Sequence, residues 1–220
     1  MAWMELERQA LAETLRDADP DAPTLCEGWT VRHLAAHLVQ REHSPLHDAV
    51  DKLSHREPGS ERYLTRLVEE ARTEDGYLAL VERFAAGLSP RSPMRWAGDR
   101  AHLLEYVIHH EDVRRAGSDP AEPRVLPTDL VRAIWEQVPT MARLGYRSSP
   151  VGVVFAVPGG PRKVVKKAHD AVVVVGDPVE LALHSAGRRA AADVDVVGAP
   201  ETLRRFEDDF PVTPAGSSAP

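Results

Sequence analysis

The densest run of chemically competent side chains lies at residues 105–115, EYVIHHEDVRR. It carries Glu105, His109, His110, Glu111, Asp112, Arg114 and Arg115, with apolar residues threaded among them. Residues of an α-helix advance about 100° each, so Glu105 and His109, four apart, stand one turn apart on one face. His102 and Asp112 fall near the same stripe, and Leu103, Leu104, Val107 and Ile108 lie opposite. The adjacent His109 and His110 diverge, so one ion does not readily take both. A carboxylate and an imidazole aimed into a helical core need a compensating partner. A divalent metal is one such partner, and bundle cores build metal sites from side chains on facing helices. Glu-x-x-x-His also occurs as a plain surface pair, and the spacing by itself leaves both readings open.

The segment WTVRHLAAHLVQRE (29–42) supplies a third ligand. His37 flanks the apolar stripe of Val31, Leu34, Ala35 and Leu38, whereas His33 lies further round toward the polar side. His37, Glu105 and His109 together would form a His2Glu set with an open position, the pattern of catalytic rather than structural zinc. The other histidines read as bystanders. His43, His47 and His55 are expected to face solvent, and His110 to make a hydrogen bond. His169 and His184 have no evident partner. His102 reads as a helix-end surface residue, with a fourth ligand as the alternative. Asp112 reads either as an orienting partner for a ligand imidazole or as an ion pair with Arg114 or Arg115. Glu111 and the arginines are expected on the exterior. Cys26, beside Leu25 and Trp29, reads as core packing, with a cysteine nucleophile as the alternative.

Composition narrows the classes. The chain has 220 residues, a net charge of −7 and one cysteine. The acidic balance argues against a general nucleic-acid binder and gives no support to an anionic membrane surface. A single cysteine allows no intrachain disulfide. No apolar run approaches the ~18 residues of a membrane span, and MAWMELERQALAETL has no signal-peptide core, so a cytoplasmic location is expected. No nucleotide-binding glycine motif and no Gly-x-Ser-x-Gly elbow is present.

The elements that must position these residues follow from periodicity. Helices are expected at 3–17, from Val31 to about Val50, at roughly 60–87 and at 99–116, with loops at Pro58-Gly59-Ser60 and GLSPRSP. In the third, Leu64, Leu67, Val68, Ala71, Leu78, Val81 and Ala85 are the core candidates. Thr30 can cap the second. Four helices so connected suggest an antiparallel bundle. After GSDPAEPRVLPTDL comes a helix near 127–144, then the Val-rich runs VGVVFAV, RKVVKKA and AVVVV, as in a meander of strands. GDPVELALHSAG and PETLRRFEDDF read as helices and DVDVVG as a strand. The expected fold class is therefore α + α/β: a helical domain over 1–120, a small α/β domain over 124–210 and a disordered tail over 211–220.

LCEGWTVRHLAAHLVQRE (25–42), taken together with EYVIHHEDVRR, resembles the mycothiol-dependent maleylpyruvate isomerase family. SPVGVVFAVPGG and VVVVGDPVELALHSAGRRAAADVDVVGAPETL are similar to the C-terminal part of the same group. The resemblance implies a DinB-like four-helix bundle followed by a domain likened to sterol carrier proteins. It implies a divalent metal, zinc first and nickel as the alternative, on His37, Glu105 and His109. It also implies mycothiol as the thiol cosubstrate, its thiolate favoured by the metal. The chain is similar to an uncharacterised branch of the family. The expected function is a metal-dependent thiol transferase or isomerase acting on a small electrophilic substrate, as a monomer or homodimer. The alternative is a non-catalytic protein that binds a metal or small ligand.

Overall fold

The computed structural model describes residues 3–54, 56–88, 99–118 and 120–211. His55, most of the GLSPRSP segment and the tail beyond Pro211 lie outside them. The chain divides into two compact units, Met1–Arg124 and Val125–Pro220.

The first unit is helical. In α1 (Trp3–Asp17), Met4, Leu11, Ala12 and Leu15 recur at three- and four-residue intervals and are buried, as an amphipathic helix requires. The expected second helix is two. α2 (Val31–His43) ends at Ser44, and α3 (Pro45–Leu53) starts with Pro45 in its first turn. Proline has no N–H to continue the ladder and pushes the preceding residue out of the helical region; Ser44 stands at φ −142°, ψ 57°.

The expected third helix also divides, into α4 (Arg62–Glu70) and α5 (Glu74–Ala85). Thr73 restarts the chain by accepting the Gly76 N–H on its hydroxyl at 3.1 Å, and Glu74 and Asp75 add the acidic first turn that a helix dipole favours. A Cβ on Gly76 would stand 2.4 Å from the Glu70 carbonyl oxygen, so the close turn between the helices needs glycine there. In α5 the buried stripe is Tyr77, Leu80, Val81 and Phe84; Leu78 and Ala85 are only half-buried.

α6 (Asp99–Arg114) runs through the interior, with His102, Leu103, Tyr106, Val107 and the run from Ile108 to Asp112 all buried. It packs on α1, α1 also packs on α5, and α2 packs on α4 and α5. This is the expected bundle, with α3 and α4 as additions to it.

Two expectations about polarity are corrected here. Glu111 is fully buried, not exterior, and Arg115 is nearly so. Glu111 binds Arg124 and Arg115 at 2.5 Å each and Arg114 at 3.0 Å. Arg124 continues to Glu7 at 2.6 Å, and Glu7 meets Nδ1 of His110 at 3.0 Å. Burial pushes the Glu7 carboxyl up, but the hydrogen bonds from His110 and Arg124 and their charges outweigh it and hold it low. A buried charge is tolerated when paired and hydrogen-bonded in this way. His102 is likewise buried, stacked on Tyr106 at 5.7 Å, and not a surface residue.

The second unit holds α7 (Thr128–Gly145), a four-stranded sheet, α8 (Pro178–Ser185), a short 3-10 turn (Arg189–Ala191) and α9 (Pro200–Glu207). Its strands are β1 (Gly152–Ala156), β2 (Arg162–Lys166), β3 (Ala171–Val175) and β4 (Asp195–Val197), in the order β2-β1-β3-β4. β1 and β2 form an antiparallel hairpin, but β3 lies parallel to β1 on its other side, so the sheet is not a meander. β1 is the buried strand, whereas β2 exposes Arg162, Lys163 and Val164. A charged strand of this kind serves as an edge and does not accept a further partner. His184 does have a partner: the Tyr146 hydroxyl donates to its Nδ1 at 2.5 Å inside a cluster with Phe155, Phe206 and Phe210.

Candidate metal centre

The N-terminus of α2 determines which of its histidines turns inward. Thr30 donates to Nδ1 of His33 from its backbone N–H at 3.3 Å and from its hydroxyl at 2.9 Å. His33 is thereby engaged at the helix start. His37, one turn later, faces α6.

There Nε2 of His37 lies 3.6 Å from Oε1 of Glu105, and the rings of His37 and His109 meet edge to face at 5.3 Å. One ligand atom from each of His37, Glu105 and His109 lies within 4.8 Å of the other two. The side chains keep 12%, 13% and 11% of their surface exposed. Ligands about 2.0–2.1 Å from a tetrahedral zinc stand about 3.4 Å apart. The 3.6 Å separation is close to that edge, and small side-chain rotations would bring in the third. Two imidazoles and a carboxylate are also a donor set suited to zinc.

The surroundings prepare the three groups differently. Burial pushes His37 below its ordinary value; Glu105 and Asp48 oppose this and the His109 charge adds to it. Burial pushes the Glu105 carboxyl up, but the His37 ring 3.6 Å away and the Arg41 and His109 charges prevail and hold it low. Arg41 forms an ion pair with Glu105 directly. Burial disfavours a charged His109, yet hydrogen bonds to Asp112 and Cys26 outweigh it and raise the imidazole to about 9. A metal would displace that proton on binding.

Asp112 lies against the His109 ring. Its Oδ2 lies 2.9 Å from Nδ1 of His109, the carboxylate–imidazole contact that fixes the ring and tautomer of a metal-ligating histidine. Cys26 is not simple core packing. It is only partly buried, and its Sγ lies 3.1 Å from the same Asp112 oxygen. Cys26, His109 and Asp112 form a second group whose ligand atoms lie within 4.8 Å of one another. Its loop is tied to α6 by the Leu25 N–H donating to the Asp112 carbonyl at 3.0 Å. Periodicity does not connect the loop residue Cys26 with α6, whereas Arg41, four residues after His37 on α2, shares its face. His110, as expected, makes hydrogen bonds instead, to Thr14 and Glu7. His43 and His47 are exposed.

A helical unit with a His-Glu-His group between α2 and α6, followed by a small α/β unit, defines a class of candidate metalloproteins. Residues 5–91 match the family model described as the mycothiol maleylpyruvate isomerase N-terminal domain. The fold of the chain is similar to a crystal structure of the mycothiol-dependent maleylpyruvate isomerase, with 19% identity over 90% of this chain and 92% of that one and a TM-score of 0.60. A structure of a histidine-to-alanine mutant of that enzyme gives 18% identity, the same coverage and the same TM-score. No curated protein matches. The family model bears out the resemblance over residues 5–91, which include the first motif, and the two crystal structures bear out the fold. No helix among the described residues is long and apolar enough to cross a membrane.

Proposed function

We propose that this protein is a divalent-metal-dependent thiol transferase or isomerase that uses a small thiol cosubstrate, mycothiol, against an electrophilic substrate. His37, Glu105 and His109 would hold the metal, zinc in the first instance. The observation that carries the reading is their convergence from two helices on one partly exposed point, with ligand atoms within 4.8 Å. A divalent ion there would lower the pKa of a coordinated thiol and favour its thiolate near neutral pH. The residues of the chain do the rest. Asp112 holds the His109 ring through Nδ1, and Arg41 keeps Glu105 in its ionised, ligating form. The match of residues 5–91 to a mycothiol-dependent family supports the choice of thiol.

The test is a rate measurement on zinc-loaded protein with mycothiol and a panel of activated alkenes, halides and epoxides. A metal-dependent rate above the solution reaction, abolished in His37→Ala, is the expected result. No such rate with any member of the panel overturns the assignment.

The Cys26–His109–Asp112 group favours a second reading, a non-catalytic metal site enclosed by the chain's own sulfur. It predicts metal content that survives His37→Ala and is lost in Cys26→Ser. The first reading predicts the reverse.

A further inference from the structure

The sheet of the second unit has two unlike faces. Side chains alternate along a strand, and residues paired across strands share a face. Val153, Phe155, Val172 and Val174 are buried on one face. There Phe155 meets Tyr146 at 5.8 Å, and Lys163, paired with Phe155, lies over the Trp135 ring of α7.

The opposite face carries a row of valines, one from each strand. Val164, Val154, Val173 and Val197 stand side by side in that order, each paired with the next. Val164 is 49% exposed and Val197 55%, and Val154 and Val173 between them are half-buried. The next row on this face is Arg162, Ala156, Val175 and Asp195. It sets exposed charges of opposite sign on the two outermost strands, with apolar residues between. An apolar patch with a charged rim marks an interaction surface.

The pattern selects the partner. Whatever covers this face must be apolar along the valine row, negative opposite Arg162 and positive opposite Asp195. A nucleic acid or an anionic membrane would meet Asp195 with like charge. A second copy of the chain meets all three demands. One sheet can be turned by half a rotation about an axis that runs along the strands between β1 and β3, then laid face to face on another. β2 then lies over β4 of the other copy, and β1 over its β3. Each row falls on its own counterpart, with Val164 over Val197, Val154 over Val173 and Arg162 over Asp195. The contact is isologous, so every pairing occurs twice. Stacked sheets lie about 10 Å apart with strands within about 30° of each other, a gap that side chains from both faces fill.

We infer that the protein self-associates as a two-fold dimer through this valine face, with Arg162 of each copy paired to Asp195 of the other. Strands about 4.8 Å apart and residues rising about 3.3 Å give a patch of about 300 Å² in each copy. That is at the small end of specific interfaces, so the dimer forms and dissociates with concentration. The charges set the register and exclude wrong alignments, and the valines supply the adhesion.

The experiment is sedimentation equilibrium of the full chain at concentrations up to about 0.5 mM, where contacts of this size are populated. A monomer–dimer equilibrium is expected for the unchanged protein. Arg162→Glu sets two carboxylates opposite each other at both ends of the contact, and Asp195→Lys sets two cations there. Each should raise the dissociation constant about tenfold, two like-charge contacts being created in each. The double variant exchanges the charges and should return the constant to near its original value. Val197→Lys, which buries an ammonium in the valine row, should leave only monomer. All these positions are exposed, and circular dichroism with thermal unfolding checks that each variant is folded. A chain that stays monomeric throughout the range overturns the inference. So does a dimer that is indifferent to the single exchanges, survives Val197→Lys, or is not restored in the double variant.

Discussion

The carboxylate of Asp112 takes the Nδ1 hydrogen bond of His109 at 2.9 Å, from three residues further along α6. An imidazole so held carries its proton on Nδ1 and offers Nε2 outward as the ligand atom. Asp112→Asn keeps the size and loses the charge. It is expected to weaken zinc affinity about 10- to 100-fold, measured by competition with a chromophoric chelator. Unchanged affinity would show that Asp112 does not hold the ligand.

Metal content separates the two clusters that share His109. Glu105→Gln and His37→Ala should each remove bound zinc, and Cys26→Ser should leave about one ion per chain, by elemental analysis of protein purified without an affinity tag. Three ligands are the usual protein contribution to an open zinc site, so loss of one is expected to be severe. Retention of zinc in both His37→Ala and Glu105→Gln would transfer the assignment to the group around Cys26.

Glu111 forms ion pairs with three arginines from within the bundle. Glu111→Gln leaves Arg114, Arg115 and Arg124 without their shared anion, and breaking a buried pair typically costs about 3–5 kcal/mol. Urea unfolding at neutral pH reads this as a lower midpoint. A loss below about 1 kcal/mol, the range of exposed pairs, would mean that the network is solvated in solution.

His184 makes the stability of the second unit depend on pH. Burial, with a smaller contribution from the Arg189 charge, pushes it from 6.5 down to about 4. Neutral His184 therefore contributes stability that is complete above about pH 6.5 and is lost as pH falls through about 4. The full loss is at most about 3 kcal/mol. In His184→Phe, which also leaves the Tyr146 hydroxyl without its acceptor, stability at pH 7 should fall while the decline from pH 7 to pH 4.5 becomes shallower. Equal declines in both proteins would contradict a buried neutral imidazole.

Much of this protein was legible in its sequence, because periodicity reports which residues share a helix face. The four-residue spacing of Glu105 and His109, and the flank of the apolar stripe that carries His37, singled out three side chains that do converge. The same logic located α1, α6, the strands and the helices of the second unit. It overran at Ser44-Pro45 and at Thr73, where one proline and one capping hydroxyl interrupt runs whose apolar spacing continues across the break.

What only the tertiary structure decided was the pairing of polar groups far apart in the chain. Glu111 looked like a surface acid because local pattern cannot see that Arg124, itself tied to Glu7, closes on it. Cys26 looked like filler because its loop is carried to Asp112 by a backbone hydrogen bond spanning most of the first unit. The order of the strands was hidden too, since it depends on which strand exposes charge and so becomes an edge. A helix face is a local property of the chain, whereas the partner of a buried charge is set by everything that folds against it.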